Sequence, residues 1–125
     1  MQINHPDVLA ELAVASEEYD TALVENDVST LEALFWVSPY VVRYGATENL
    51  YGSEEISTFR AARPSHGLSR RVTRKVITTF GTDFGTTCIE FTRNKDPRVG
   101  RQMQSWVRLE EGWRIVAAHV SWMDG

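Results

Sequence analysis

The sequence has a single cysteine, Cys88, among its 125 residues. One thiol forms no intrachain disulfide and no cluster of metal ligands, so we predict no disulfide scaffold, no bound metal and no cofactor. Long hydrophobic runs are also missing, since no segment approaches the roughly 20 apolar residues that a membrane-spanning helix needs. The N-terminal stretch is too acidic for a signal peptide, which predicts a cytoplasmic protein.

A surplus of positive charge is missing as well. Thirteen Lys and Arg face seventeen Asp and Glu, which gives a formal net charge of -4. Binding to nucleic acid or to an anionic membrane surface depends on clustered basic side chains, so we expect neither partner. The most basic segment, RRVTRK at residues 70–75, alternates with apolar residues and therefore predicts the wet face of a strand.

The length and composition predict one soluble globular domain over residues 1–125. Hydrophobic residues make up 42% of the chain and charged residues 24%. This balance is ordinary for a globular protein, and the length suffices for one hydrophobic core but not for two. We find no internal repeat, low-complexity segment or linker.

The first half of the chain predicts three helices. The first has apolar residues at spacings of three and four, and this periodicity puts Tyr19 on its buried stripe. The second is expected to end where Pro39 forces the preceding residue out of the helical conformation. The three helices are predicted over residues 7–25, from a cap at Ser29 or Thr30 to Ser38, and from 53 to about 62.

The second half predicts a β-sheet. A short strand, VVRY, and an extended piece at Asn49–Tyr51 precede the third helix. Helices followed by long strands indicate an α+β fold. We predict three helices packed on the concave face of a curved antiparallel sheet, a cone open at one end. Four segments rich in β-branched and aromatic residues follow: SRRVTRKVITTF, FGTTCIEFTR, GRQMQSWVRLEE and WRIVAAHVSW.

This order of elements resembles the SnoaL-like branch of the nuclear-transport-factor-like (cystatin-like) cone superfamily. The ending EEGWRIVAAHVSW is similar to the last hairpin of that superfamily. The stretches LEALFWVSPYVVRYGATENLYGSEEISTFRAARP, VITTFGTDF and GRQMQSWVRLEEGWRIVAAHVS resemble the AtzH-like family over nearly the whole chain.

The resemblance implies an activity and a catalytic pair. The namesake of the AtzH-like family is a decarboxylating amidohydrolase that converts 1,3-dicarboxyurea to allophanate, and relatives are associated with oxalurate-type ureide catabolism. The family's tyrosine on the first helix and arginine on the first strand fall on Tyr19 and Arg43. Arg43 is then expected to clamp a substrate carboxylate, and Tyr19 to act as a proton donor.

Arg43 is the most informative position even without the resemblance. If the first strand alternates, Arg43 shares a face with Val41 and is costly to desolvate without an anionic partner. A ligand carboxylate suits a guanidinium, which pairs with it through two parallel hydrogen bonds. The alternative is an internal salt bridge to a glutamate: Glu48, Glu54 or Glu90.

Other candidates for substrate binding have structural alternatives. His119 and Ser121 are expected to share a face with Ile115 and Ala117, where they orient a substrate or form a structural pair. Gln104 shares a face with Gln102 and Trp106, and that face lines either a pocket or an interface. Trp36 is a ligand platform or a core residue. Arg60 and Arg63 guard an anionic opening or solvate a helix end.

Three hypotheses about function stay open. The first is an enzyme acting on a small anionic ureide or carboxylate. The second is a non-catalytic domain that binds a small acid or associates as a dimer, with Trp106, Trp113 and Trp122 supplying aromatic area. The third is an isomerase or dehydratase of the wider superfamily, which needs a buried carboxylate or His119 as base. A homodimer is expected under either of the first two.

Overall fold

Three helices and six strands make up the fold. The computed structural model describes residues 1–64 and 68–124. The helices are α1 (Pro6–Glu25), α2 (Val28–Leu34) and α3 (Gly52–Ala62), and the strands are β1 (Val42–Tyr44), β2 (Asn49–Tyr51), β3 (Arg71–Phe80), β4 (Phe84–Thr92), β5 (Val99–Leu109) and β6 (Gly112–Met123). No helix within the described residues is long and apolar enough to cross a membrane.

The six strands form one sheet in the order β2-β1-β6-β5-β4-β3. The long strands β3 to β6 pair as successive antiparallel hairpins. The predicted α+β fold, with three helices on a curved sheet, is confirmed. One pairing departs from the antiparallel expectation, because β1 runs parallel to β6. The two strands are far apart in sequence, so no tight turn forces them to run in opposite directions.

The second helix begins and ends earlier than predicted, and its cap is Asp27 rather than Ser29 or Thr30. It begins after Asp27, whose carboxylate accepts hydrogen bonds from the backbone and side chain of Thr30. It ends at Leu34 because Phe35 turns extended and bridges to Ile115 of β6. The pairing of Phe35 with β6 therefore ends this helix several residues before Pro39.

The third helix ends where the sequence predicts. Arg63 takes an extended conformation with ψ 135° after the last helical residue. The residue before a proline avoids the helical region, so Pro64 fixes this stop. The turn brings the side chain of Arg63 towards the open end of the sheet.

The core lies between the helices and the concave face of the sheet. Leu12, Leu31 and Ile56 contribute one side chain from each helix, and all three are almost completely buried. Trp106 and Ile115 meet them from β5 and β6 and are fully buried. Burial of side chains of this size contributes roughly 1.5–3 kcal/mol each, so this layer holds the helices on the sheet.

A β-bulge changes the alternation of β6. Ser105 lies opposite Ala117 and Trp106 lies opposite Ile115, so Val116 has no partner in β5. One extra residue reverses which side chains face inward beyond that point. Ala118 therefore joins the core on the concave face, whereas His119 is exposed on the convex face.

Candidate functional site

A cavity of about 280 Å³ lies at the open end of the cone. Small-molecule sites commonly have volumes of about 300–1,000 Å³, so this one suits a small ligand. Its walls combine charged and apolar side chains from β1, α3, β6 and the end of β4. The lining residues are Arg43, Gly45, Ala46, Glu48, Phe59, Arg63, Pro64, Leu68, Arg93, Val120 and Trp122.

Arg43 points into this cavity from β1. It is paired with Ala118 of the concave face across the strand, as its alternation with the buried Val41 predicts. Its guanidinium lies over the Phe59 ring at 5.5 Å from the ring centroid. The side chain is 12% exposed, so the charge is largely removed from bulk water.

The internal salt bridge considered as the alternative for Arg43 is also present. Nη1 of Arg43 donates to Oε1 of Glu48 at 3.0 Å. The other oxygen of Glu48 accepts from the backbone and hydroxyl of Thr47. Burial raises the pKa of Glu48, but the hydrogen bonds from Thr47 and Arg43 outweigh it and the net pKa is lowered. The salt bridge to Glu48 uses one nitrogen of Arg43. The other N–H groups of the guanidinium can therefore donate to the carboxylate of a ligand.

Tyr19 is buried within α1, with 6% of its surface exposed. Its ring packs at a tilt against Phe35, with centroids 6.3 Å apart. Tyr19 also raises the pKa of Arg63 electrostatically. Of the two residues implied by the family resemblance, Arg43 lines the cavity and Tyr19 is not among its lining residues in the described part of the chain, so the catalytic role of Tyr19 stays a prediction.

Arg63 lines the cavity just beyond the end of α3. Burial lowers its pKa, Tyr19 opposes this, and the neighbouring Arg43, Arg60 and Arg93 lower it further. Its Nε and Nη2 atoms are buried, and no hydrogen-bond acceptor contacts them among residues 1–64 and 68–124. Arg60, one turn earlier, is instead directed to the other side and bonds Glu32 at 2.7 Å.

Arg93 lines the same cavity from the end of β4. Its guanidinium lies over the rings of Phe91 and Trp122, at 5.8 and 5.3 Å from their centroids. The nearby Asp96 is paired with Arg98, which donates a hydrogen bond to each of its carboxylate oxygens. Burial, and next Arg70, lower the pKa of Arg93. Its Nε is buried without an acceptor in the part of the chain that the structure describes.

Two predicted substrate-binding residues lie away from the cavity lining. Gln104 is buried on the concave face, where its Oε1 accepts from the Thr87 hydroxyl at 3.1 Å. Thr87 in turn accepts from the indole N–H of Trp106 at 3.1 Å. Trp36 is partly buried against the core, and its ring lies 6.4 Å from that of Tyr40. Both therefore belong to the packing around the cone interior.

His119 and Ser121 lie on the convex face of the sheet, away from the cavity. The prediction that they share a face with Ile115 is wrong, because the bulge at Val116 shifts the alternation by one residue. His119 instead packs its ring edge against Tyr44, with centroids 5.7 Å apart. The positions of His119 and Ser121 therefore indicate a structural role on the outer surface of the sheet.

The tryptophans are not arranged as an exposed interface. Trp106 and Trp113 are 0% and 6% exposed and belong to the core under the helices, so the expectation for these two is wrong. Trp122 lines the cavity. The predicted homodimer does not depend on these residues and stays a prediction.

A larger depression of about 610 Å³ lies between α1 and β3, but its basic side chains, Arg70 and Lys75, are both paired with Asp20. The carboxylate of Asp20 accepts from Arg70 at 3.0 Å and from Lys75 at 2.5 Å. Arg70 also donates to Gln102 at 2.8 Å. This network ties α1 to the sheet, and it engages Asp20 on a different side of α1 from Tyr19. We therefore place the candidate site at the smaller cavity.

Sequence analysis did not single out Arg93. A usable signal is present, because Ile89, Phe91 and Arg93 alternate along one strand and Ile89 and Phe91 are buried. Arg63 was considered, but a charged residue at a helix end is most often solvated. Among the described residues, no group of three or more His, Cys, Asp or Glu side chains has the arrangement of a metal site.

The fold and the cavity define a cone of the nuclear-transport-factor-like, cystatin-like class. A crystal structure of a cystatin-like fold protein from Burkholderia xenovorans is similar at 48% identity, covering 100% of this chain and 98% of that chain, with a TM-score of 0.96. A protein of unknown function from the DUF3225 family of Pectobacterium atrosepticum is similar at 55% identity, covering 98% and 95% of the two chains, with a TM-score of 0.96.

The AtzH-like family model matches residues 1–125, and the chain belongs to this family. A nuclear transport factor 2-like superfamily protein from Salmonella enterica shares 21% identity over 92% of this chain and 90% of that chain, with a TM-score of 0.75, which shows the fold alone. A search of curated proteins finds no match.

Proposed function

We propose that this protein is a small enzyme that decarboxylates a carboxylated urea, such as 1,3-dicarboxyurea, or a related ureide. The observation that carries the proposal is the cavity at the open end of the cone, which the largely buried guanidinium of Arg43 lines. The role of Tyr19 in this proposal rests on the family resemblance. A buried guanidinium favours an anionic ligand, and a phenolic O–H is a proton donor.

The chemistry assigns one role to each residue. Arg43 binds the carboxylate of an N-carboxylated urea and holds it in the plane of its guanidinium. The N–C bond to this carboxylate breaks, its electron pair stays on nitrogen, and carbon dioxide leaves. Tyr19 gives its proton to that nitrogen, and water returns a proton to the phenolate. General acid catalysis of this kind contributes typically about 10² to 10⁴-fold in rate.

The experiment compares three substrates with three variants. Carbon dioxide and ammonia release are measured from freshly generated 1,3-dicarboxyurea, oxalurate and allophanate. We expect accelerated carbon dioxide release from 1,3-dicarboxyurea, reduced about 10² to 10⁴-fold by Tyr19→Phe and abolished by Arg43→Ala. Tyr40→Phe is the matched control, because Tyr40 is 78% exposed and distant from the cavity lining.

The result that contradicts the proposal is equally definite. If Tyr19→Phe turns over as fast as the wild type, the hydroxyl is not the proton donor. If no substrate reacts faster than its background rate, the enzymatic proposal fails.

A second candidate is a non-catalytic domain that binds a small acid. The salt bridge between Arg43 and Glu48 favours this candidate, because an arginine whose charge is already balanced by a glutamate needs no substrate carboxylate to stabilise it. Calorimetric binding of the same substrates without turnover is the result that selects this candidate.

A further inference from the structure

The cavity contains more positive charge than a single carboxylate neutralises. Arg43, Arg63 and Arg93 line it from three different parts of the fold, and among the described residues Glu48 is the one acidic residue in the lining. Glu48 makes its salt bridge with Arg43 alone, at 3.0 Å. The surplus of positive charge therefore lies with Arg63 and Arg93.

Arg63 and Arg93 form no salt bridge among the described residues, although Asp96 raises the pKa of Arg93 electrostatically. The rings of Phe91 and Trp122 cover the face of the Arg93 guanidinium, so its N–H groups, which lie in the guanidinium plane, stay available. Three of the buried N–H groups, Nε and Nη2 of Arg63 and Nε of Arg93, find no acceptor within residues 1–64 and 68–124. A buried donor without an acceptor is destabilising, so an arrangement with several is expected where a ligand supplies the acceptors.

The mutual repulsion of these groups supports the same conclusion. Arg43 and Arg93 each lower the pKa of Arg63, in addition to the effect of burial. An anion placed between them replaces repulsion by attraction and satisfies the open N–H groups together. The apolar walls, Phe59, Leu68 and Val120, leave room between the charged ends for a short uncharged skeleton.

We propose that Arg63 and Arg93 form a second carboxylate subsite, so that the cavity selects small dianions with one carboxylate at Arg43 and the other at Arg63 and Arg93. The inference rests on the site of the proposed function but not on its chemistry. Guanidinium groups bind carboxylates and inorganic oxyanions alike, so the experiment includes both.

The test uses unreactive dicarboxylates as probes of binding. Dissociation constants are measured by calorimetry at fixed ionic strength for malonate, succinate and glutarate, with acetate, propionate, phosphate and sulfate alongside. We expect at least one dicarboxylate to bind the wild type tenfold or more tightly than either monocarboxylate. Phosphate or sulfate binding as tightly as that dicarboxylate overturns the dicarboxylate assignment.

The variants locate the second subsite. Arg63→Gln and Arg93→Gln are each expected to weaken dicarboxylate binding about tenfold while changing acetate binding less than threefold. Arg98→Gln is the matched control, because Arg98 also stacks on Trp122 but is exposed and paired with Asp96. Circular dichroism confirms folding, and Arg63→Lys, which keeps the charge, should retain part of the selectivity.

Two outcomes separate this inference from the proposed function. If dicarboxylates bind as expected and no ureide reacts, the catalytic proposal fails and the subsite stands. If Arg63→Gln and Arg93→Gln lower binding of dicarboxylates and monocarboxylates equally, or leave both unchanged, the second subsite is wrong whatever the turnover shows.

Discussion

The two arginines of α3 provide a sharp test of the difference between a binding residue and a structural one. Arg60 and Arg63 lie three residues apart on and just beyond the same helix, and both are cationic. Arg60 is 5% exposed, bonds Glu32 at 2.7 Å and lies 4.8 Å from the Phe35 ring centroid. Arg63 has two buried N–H groups without an acceptor among the described residues.

We expect Arg63→Met to raise the free energy of unfolding of the ligand-free protein by about 1 kcal/mol. Each unsatisfied buried donor costs about 1–3 kcal/mol, and Arg63 is half-buried, so we take the lower end. Arg60→Met should lower the free energy of unfolding by about 1–3 kcal/mol, through loss of a charged hydrogen bond and a cation–π contact. The partial exposure of Glu32 limits that loss.

The assay is urea unfolding of the two variants and the wild type, with thermal unfolding alongside. For a domain of this size, 1 kcal/mol corresponds to a shift of about 4 °C in Tm. Adding the dicarboxylate that binds best should reverse the order of wild type and Arg63→Met. A ligand at a hundred times its Kd stabilises the protein that binds it by about 2.7 kcal/mol. If Arg63→Met lowers stability as much as Arg60→Met does, Arg63 is a structural residue and the reasoning is refuted.

Further predictions concern packing, association and pH. Gly100→Ala should cost about 1–3 kcal/mol in urea unfolding, because a Cβ there lies 2.3 Å from the Phe91 ring. Met103, 58% exposed on the convex face, is expected at the homodimer interface, so Met103→Glu should give a monomer by light scattering, and a wild-type monomer contradicts this. The folded-state pKa of Glu48 is below its ordinary 4.5, so its stabilisation is present above that pH and is lost as pH falls through the folded value. Glu48→Gln should therefore flatten the acid limb of the stability profile, and an unchanged limb contradicts the role of the Arg43 pair.

Much of the fold was predictable because it depends on local periodicity. The stripe of α1 and the stop at Pro64 are set by residues near in sequence, and both are confirmed. The early end of α2 was not predictable, since Phe35 leaves the helix to bridge β6 some 80 residues later.

The candidate site divides in the same way. Alternation alone predicts that Arg43 shares a face with Val41, and the resemblance points to Tyr19. That this face is the concave one is seen only in the structure. The bulge at Val116 depends on how β5 and β6 pair, and no sequence pattern within β6 predicts it. It places His119 and Ser121 on the face opposite to that of Ile115, with which they were expected to lie.

The sequence by itself determined the class of fold, the family and the face that Arg43 shares with Val41, because these depend on periodicity and motif order. Only the tertiary structure decided that Arg63 and Arg93 meet Arg43 around one cavity and that Glu48 pairs with Arg43. Their positions depend on a helix end, a strand end and a hairpin that pack together only in the folded chain. The strength of an ion pair depends on the distance between the two charges in the folded protein, and the separation of the two residues in the sequence does not determine that distance.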